Sequence, residues 1–466
     1  MTPPPAQSVA AMIRPTPETP DSKVNRDLLS VMEGASLGYW LLLLIAAAFV
    51  ALAAGVWTWQ VYEGLGIAGY VHPVFWGAYV VSFVFWVGIA HAGTLISAIL
   101  YLFRAKWRNA INRSAEAMTV FAVIMAAQFI GIHVGRLWKS YFILPYPNQR
   151  GLWVNFRSPL LWDTFAISTY ATISILFLYV GLLPDLAIAR DRAVSWRRAL
   201  YSVLSMGWQG TARQWKSHNR TVLHLSGLAT PLVLSVHSVV SWDFAMSIVP
   251  GWHATIFAPY FVAGAIFSGM AMVLTMMIPV RRIFGLEAYI TDYHFENMAR
   301  FLLLTSLIVG YAYCAEFFMA WYAGVEAEQS SFWLRAFGPY WISTWLMILC
   351  NAVFPQLLWF KKLRTSVPFL FVLSVLINIG MWLERYVIIV TGLSTEYDPA
   401  VWGIYTPSIP ELALVAGSFA FFALLFLIFL KLFPVVAIAE VKEIAIHEKE
   451  HPGEVWEHAH TWGEIH

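Results

Sequence analysis

Residues 37–60 read LGYWLLLLIAAAFVALAAGVWTWQ, a run without one charged side chain. Wound as an α-helix at about 1.5 Å per residue, it is long enough to cross the roughly 30 Å hydrocarbon layer of a bilayer. Nine comparable apolar stretches follow, near 73–103, 115–138, 159–183, 221–243, 254–280, 299–323, 338–360, 366–391 and 409–433. Pro231 and Pro355 interrupt the fifth and eighth stretches. The expectation is an all-α polytopic membrane protein of about ten transmembrane helices.

Composition leads to the same place. Of 466 residues 59% are hydrophobic and 12% charged, where a soluble domain carries about 25% charged residues. The 23 Trp suit a chain with many membrane–water boundaries. A net charge of +2, with no basic tract interleaved with aromatics, excludes a nucleic-acid binder. Two cysteines, Cys314 and Cys350, exclude a disulfide scaffold and a Cys-ligated cluster on this chain alone. The first 36 residues lack the basic-then-apolar pattern of a signal peptide, so no removal is expected.

Charge also predicts orientation. With a cytoplasmic N-terminus, the inner segments hold 23 of the 29 Lys and Arg, chiefly at 104–113 and 190–220. The outer set is Arg136, Lys139, Arg150, Arg157, Arg335 and Arg385. The positive-inside rule then puts both termini in the cytoplasm. Helices two to five echo helices six to nine. Ser158-Pro159 has a counterpart in Gly338-Pro339, and Trp242-Asp243 one in Trp382-Leu-Glu384. Four helices per unit make the copies parallel. The expected parts are a cytoplasmic polar tail (1–36), helices one to five with a first four-helix bundle (37–243), helices six to ten with a second (244–435), and a His/Glu-rich cytoplasmic tail (436–466). Helices one and ten flank the two bundles.

An ionisable side chain inside lipid is expensive and marks a functional candidate. Helix three ends Gly131-Ile-His133-Val-Gly-Arg136; helix four opens Ser158-Pro159-Leu-Leu-Trp162-Asp163; helix five closes Trp242-Asp243. Ser before Pro forms an N-cap and first-turn pair, and a carboxylate in the opening turns gains from the helix dipole. Topology brings His133, Asp163 and Asp243 to one level from three helices, with Arg136 and Trp162 beside them. Quinol oxidation needs this set: an imidazole to hydrogen-bond a hydroxyl, and a carboxylate to take its proton as electrons depart. The plain alternative is three satisfied polar groups at an interface.

His91, Glu116, His224 and His237 lie deeper or further inward and would extend a proton path; helix–helix hydrogen bonds are the alternative. Glu316 and the adjacent Glu384-Arg385 are their counterparts in the second bundle, where a structural ion pair is favoured. Haem is not expected. His224 and His237 are thirteen residues apart, about 220° around the helix, and no other helix offers a matching pair. His447, His451, His458, His460 and His466 in the C-terminal tail read as a solvated face, so no metal site is expected.

These residues carry a resemblance to the NrfD/PsrC family of quinone-interacting membrane subunits, and within it to the ActC-type subunits of alternative complex III. The likeness runs through Gly131–Arg136, Leu144-Pro-Tyr-Pro-Asn148, Phe156–Asp163, Ser168-Thr-Tyr170, Gly181-Leu-Leu-Pro-Asp185 and Trp242-Asp243. It covers essentially the whole membrane region. The resemblance implies two four-helix bundles with a quinol site made by His133, Asp163 and Asp243 near the periplasmic face. The quinol would be menaquinol rather than ubiquinol. It further implies electron transfer to a periplasmic iron–sulfur subunit and on through haem c subunits towards a terminal oxidase. Haem and iron–sulfur groups would sit on those partners and not on this chain. A homologous ten-helix subunit would be a membrane neighbour, in a bacterial cytoplasmic membrane, with a proton route through the bundle. Two other classes fit the bare pattern: a secondary transporter, which should purify alone, and a structural anchor, which quinol-site inhibitors would not label.

Overall fold

The computed structural model describes residues 20–144 and 156–442. Ten helices there are long and apolar enough to cross a membrane, as the hydropathy pattern predicts. They are α1 (Leu37–Glu63), α2 (Ala78–Leu102), α3 (Asn112–His133), α4 (Pro159–Arg192), α5 (Ala212–Ala245), α6 (Phe257–Phe284), α7 (Asp292–Ala323), α8 (Trp341–Trp359), α9 (Val367–Ser394) and α10 (Ile409–Leu432). No strand occurs among the described residues.

Two closed rings of four result. In the first, α2 packs on α3 and α5, and α4 packs on α3 and α5; in the second, α6 packs on α7 and α9, and α8 on α9 and α7. The central helices α2 and α6 pack on each other across the interface between the rings and are the most enclosed of the ten. Helix α1 is the most lipid-exposed and leans on α10. There a Cβ on Gly417 would lie 2.2 Å from the Ala53 Cβ, so the two backbones meet closely. Trp86 of α2 donates to Ser418 of α10 at 3.0 Å, and Trp382 of α9 to Ser82 of α2 at 3.1 Å.

Local chemistry sets the ends. Helices α6 and α7 stop at Gly285 and Gly324, both left-handed at φ 64° and 68°. Ser408 and Glu411 form a reciprocal capping box at the start of α10. The expected Ser158 side-chain cap is not made. Leu161 and Trp162 instead donate to the Ser158 carbonyl, and Pro159, lacking an N–H, leaves one donor fewer to satisfy. Helix α5 tolerates Pro231, whereas α8 loosens around Pro355 into a π segment and a 3-10 segment.

The tails are shorter than the sequence suggests. Pro20–Ser30 is helical and, with the residues after it, packs Val24, Leu28, Leu29, Val31 and Met32 into the core. At the other terminus, Val435, Val436, Ala437 and Ile438 are fully buried. Residues 20–32 and 435–442 therefore belong to the folded body, because short apolar runs there cover the ends of the bundles. The His-rich stretch from His447 to His466 lies outside the described residues, as do Pro145–Asn148 and Arg150.

Gly93 shows how tightly α2 and α3 approach. A Cβ there would lie 2.1 Å from the Ala115 carbonyl oxygen and from the Thr119 hydroxyl. Gly93→Val should lower stability by about 1–3 kcal/mol through overpacking, read as a lower unfolding temperature in detergent. Gly55→Val, on the open face of α1 with nothing within 4 Å, should leave it unchanged.

Candidate functional site

The first ring holds its polar residues in three levels. At the end away from most of the Lys and Arg, Asp163 in the opening turns of α4 faces Asp243 in the last turn of α5, their carboxyls within hydrogen-bonding reach. Their neighbours Trp162 and Trp242 meet edge to face at 6.0 Å, and Trp162 donates to the Phe156 carbonyl at 2.6 Å. One oxygen of each carboxyl, Oδ1, is buried with no hydrogen-bond partner. Topology alone thus brings these two acids to one level.

His133 ends α3 at the same end of the ring but joins a different group. Its Nδ1 lies 3.3 Å from the Tyr70 hydroxyl, and among the described residues no hydrogen bond links it to either Asp. Tyr70 stacks on Tyr405 and meets Tyr79 edge-on. Burial first, and then the Glu411 carboxylate, push the Tyr70 phenol well above its usual range, so it stays protonated at neutral pH. With that phenol as donor, the neutral imidazole carries its own proton on Nε2. Behind this pair, Tyr79 donates to Gln60, and Gln60 donates to the Ile132 carbonyl at 3.0 Å. Glu411, fully buried, accepts from Tyr405 at 2.6 Å and from the Gly69 and Ser408 amides at 2.8 Å. Sequence reasoning misses these supports: loops 64–77 and 395–408 bring most of them in, and loops have no period to read. Arg136 is exposed.

The middle level is a histidine pair. The rings of His91 (α2) and His237 (α5) lie 4.6 Å apart, both fully buried, and Tyr170 of α4 stacks on His91 at 5.1 Å. His91 Nδ1 bonds the Val87 carbonyl at 2.7 Å; its Nε2 and both nitrogens of His237 have no protein partner among the described residues. His224 does not join them. It is exposed, with Nδ1 on the Arg220 carbonyl at 2.6 Å, because thirteen residues of helix turn it to the other face.

The third level, at the basic end, centres on Arg113. Its guanidinium meets Glu116 at 2.8 Å, Asp185 at 3.2 Å and the Gly181 carbonyl at 2.6 Å. A Cβ on Gly181 would lie 2.3 Å from the guanidinium, so this glycine makes room for it. Between this level and the histidines lies a cavity for about one water, lined by Thr94, Glu116, Thr119 and Ser174.

The second ring is better paired. Glu384 and Arg385 form the expected ion pair at 2.6 Å, Tyr313 donates to Glu384, and Asn351 donates to Tyr313 at 2.9 Å. Glu316 and Arg335 share a second small cavity. The Arg385 guanidinium lies 4.4 Å over Phe261, whose ring is 6.0 Å from His237. Glu384 sits ten residues before the end of α9, whereas Asp243 is in the last turn of α5, so the repeat does not place the two acids at one depth. Among the described residues no group of three or more His, Cys, Asp or Glu is placed to hold a metal.

A family profile and several relatives match this chain. The profile described as "Polysulphide reductase, NrfD" matches residues 67–397. A dimethyl sulfoxide reductase membrane subunit of Halobacterium salinarum is 26% identical over 440 residues, covering 89% of this chain and 95% of its own. The Hdr-like menaquinol oxidoreductase integral membrane subunit of Archaeoglobus fulgidus is 22% identical, covering 89% and 98%. A selenate reductase subunit of Mesobacillus selenatarsenatis is 19% identical, covering 80% and 89%.

Arg113 is the keystone of the third level. Arg113→Ala would leave Glu116 and Asp185 buried without a cation, an expected loss of about 3–5 kcal/mol, read as thermal unfolding in detergent. The triple replacement Arg113→Met, Glu116→Gln, Asp185→Asn leaves no buried charge at these positions and should recover most of it.

Proposed function

Because this chain belongs to the polysulphide reductase NrfD family, we propose that it is the membrane component of a respiratory complex that binds and oxidises a quinol. The observation that carries the reading is the Asp163–Asp243 pair, with free carboxyl oxygens, at the mouth of a ring whose interior continues into buried histidines. A quinol supplies two hydroxyl protons and two electrons. His133, fixed by Tyr70, hydrogen-bonds one hydroxyl through its outer nitrogen. The carboxyl pair takes the proton released as electrons leave, and Trp162 and Trp242 provide the flat apolar wall a ring needs. The name of the Archaeoglobus relative favours menaquinol over ubiquinol.

The finer assignment follows the sequence motifs. We place both termini in the cytoplasm, as the distribution of Lys and Arg supports, and the carboxyl pair at the periplasmic face of a bacterial cytoplasmic membrane. The acceptor is an iron–sulfur subunit docked there, followed by haem c subunits and a terminal oxidase, with a homologous ten-helix subunit alongside, as in alternative complex III. The levels Asp163–Asp243, His91–His237 and Glu116 line up as a proton path through the ring. Glu316, Glu384 and Arg385 are counter-charges in the second ring.

Asp163→Asn or His133→Ala should cut quinol oxidation by the purified complex by about 100-fold or more, with every partner protein retained and haem absorbance unchanged. Tyr70→Phe, which only frees the imidazole, should cost about tenfold. Wild-type turnover in Asp163→Asn would remove the site.

A further inference from the structure

The segment after α10 closes the basic end of the first ring. Pro434 stops the helix, and the chain then turns under α3 and α4 with Val435–Ile438 fully buried. Polar contacts on both sides hold it. Ser114 donates to the Val435 carbonyl at 2.7 Å, the Ala439 amide donates to Asp185 at 3.0 Å, and Asn112 donates to Glu440 at 2.8 Å. Arg108 pairs with Glu440 at 3.1 Å. A free tail would not place four consecutive apolar residues under the bundle while its backbone satisfies the buried Asp185.

Glu440 has a particular position on this strap. Its side chain is 30% exposed, yet its carboxylate turns inward onto Asn112 and Arg108, with Oε2 buried. Arg113, Glu116 and Asp185, by contrast, are at most 5% exposed. His218 of α5 faces the same cluster. Three carboxylates (Glu116, Asp185, Glu440) stand against two guanidiniums (Arg108, Arg113), so the fully ionised cluster is one negative charge in excess. It has the charge balance to hold one extra proton, and rotation about the Glu440 side chain alone carries that carboxyl between cluster and water.

We propose that the strap 433–442 seals the basic end of the first ring and that Glu440 is the swinging acid passing protons between water and Glu116. The step moves one proton from the Glu440 carboxyl to the Glu116 carboxylate, or back, and involves no electrons. From Glu116 the water-sized cavity leads towards Tyr170 and the His91–His237 pair. This assignment deepens the proton path of the quinol reading and rests on that reading only for its purpose.

The test needs no quinol. In the purified full-length chain, the infrared carboxyl signal that Glu116→Gln removes is followed after a pH jump. In Glu440→Gln its response should slow by about tenfold or more, and Glu440→Asp should restore it. A merely structural role predicts the opposite sign, since losing the Arg108 and Asn112 contacts would loosen the seal and speed the response. An unchanged or faster response in Glu440→Gln, or no signal that Glu116→Gln removes, overturns the proposal. Failure of the wild-type complex to oxidise quinol would sink the quinol reading and leave this measurement standing.

Discussion

Hydrocarbon cannot solvate a charge, and the arrangement of this molecule follows from that constraint. An ionised side chain within a span is tolerated when it turns inward and meets a counter-charge or several donors. Arg113 meets Glu116, Asp185 and a carbonyl; Arg385 meets Glu384; Glu411 collects a phenol and two amides. Each set ties together elements that apolar packing alone would leave free to slide. Arg113 fixes the register of α3 against α4, Tyr313 and Glu384 that of α7 against α9. Glu411 pins the loops before α2 and α10 to one another.

The same constraint explains what the sequence reveals. Ten spans are legible because lipid demands an unbroken apolar length, which composition records directly. Asp163 and Asp243 are legible because alternating helix direction sends the start of α4 and the end of α5 to one level. His133 is legible by level, though not by partner: the hydroxyl it meets belongs to Tyr70, in a loop with no period. Gln60 sits at the end of the most lipid-exposed helix, where a polar residue reads as interfacial. The strap is hidden for a different reason. Val435–Ile438 is too short for a span and adjoins charged residues, so it resembles the start of a tail. Sharing a helix makes His224 and His237 look like one group, although their angular separation already puts them on different faces.

The two rings share an architecture but treat their buried polar atoms differently. In the second, Glu384 has Arg385 and Tyr313, and the expected ion pair is formed. In the first, Asp163, Asp243, His91 and His237 keep polar atoms that no described protein group satisfies. Leaving a buried polar atom unpaired costs about 1–3 kcal/mol, and more than one such atom in a single ring is a sizeable fraction of a domain's stability. Neutral apolar side chains of similar size would avoid that cost in a structural bundle. Waters can satisfy some of these atoms, and the cavity beside Glu116 has room for about one. A chain of hydrated, unpaired groups is what proton transfer requires and what pure scaffolding avoids. The duplicated fold has thus divided its labour: the second ring holds charges still, while the first leaves them partners to exchange.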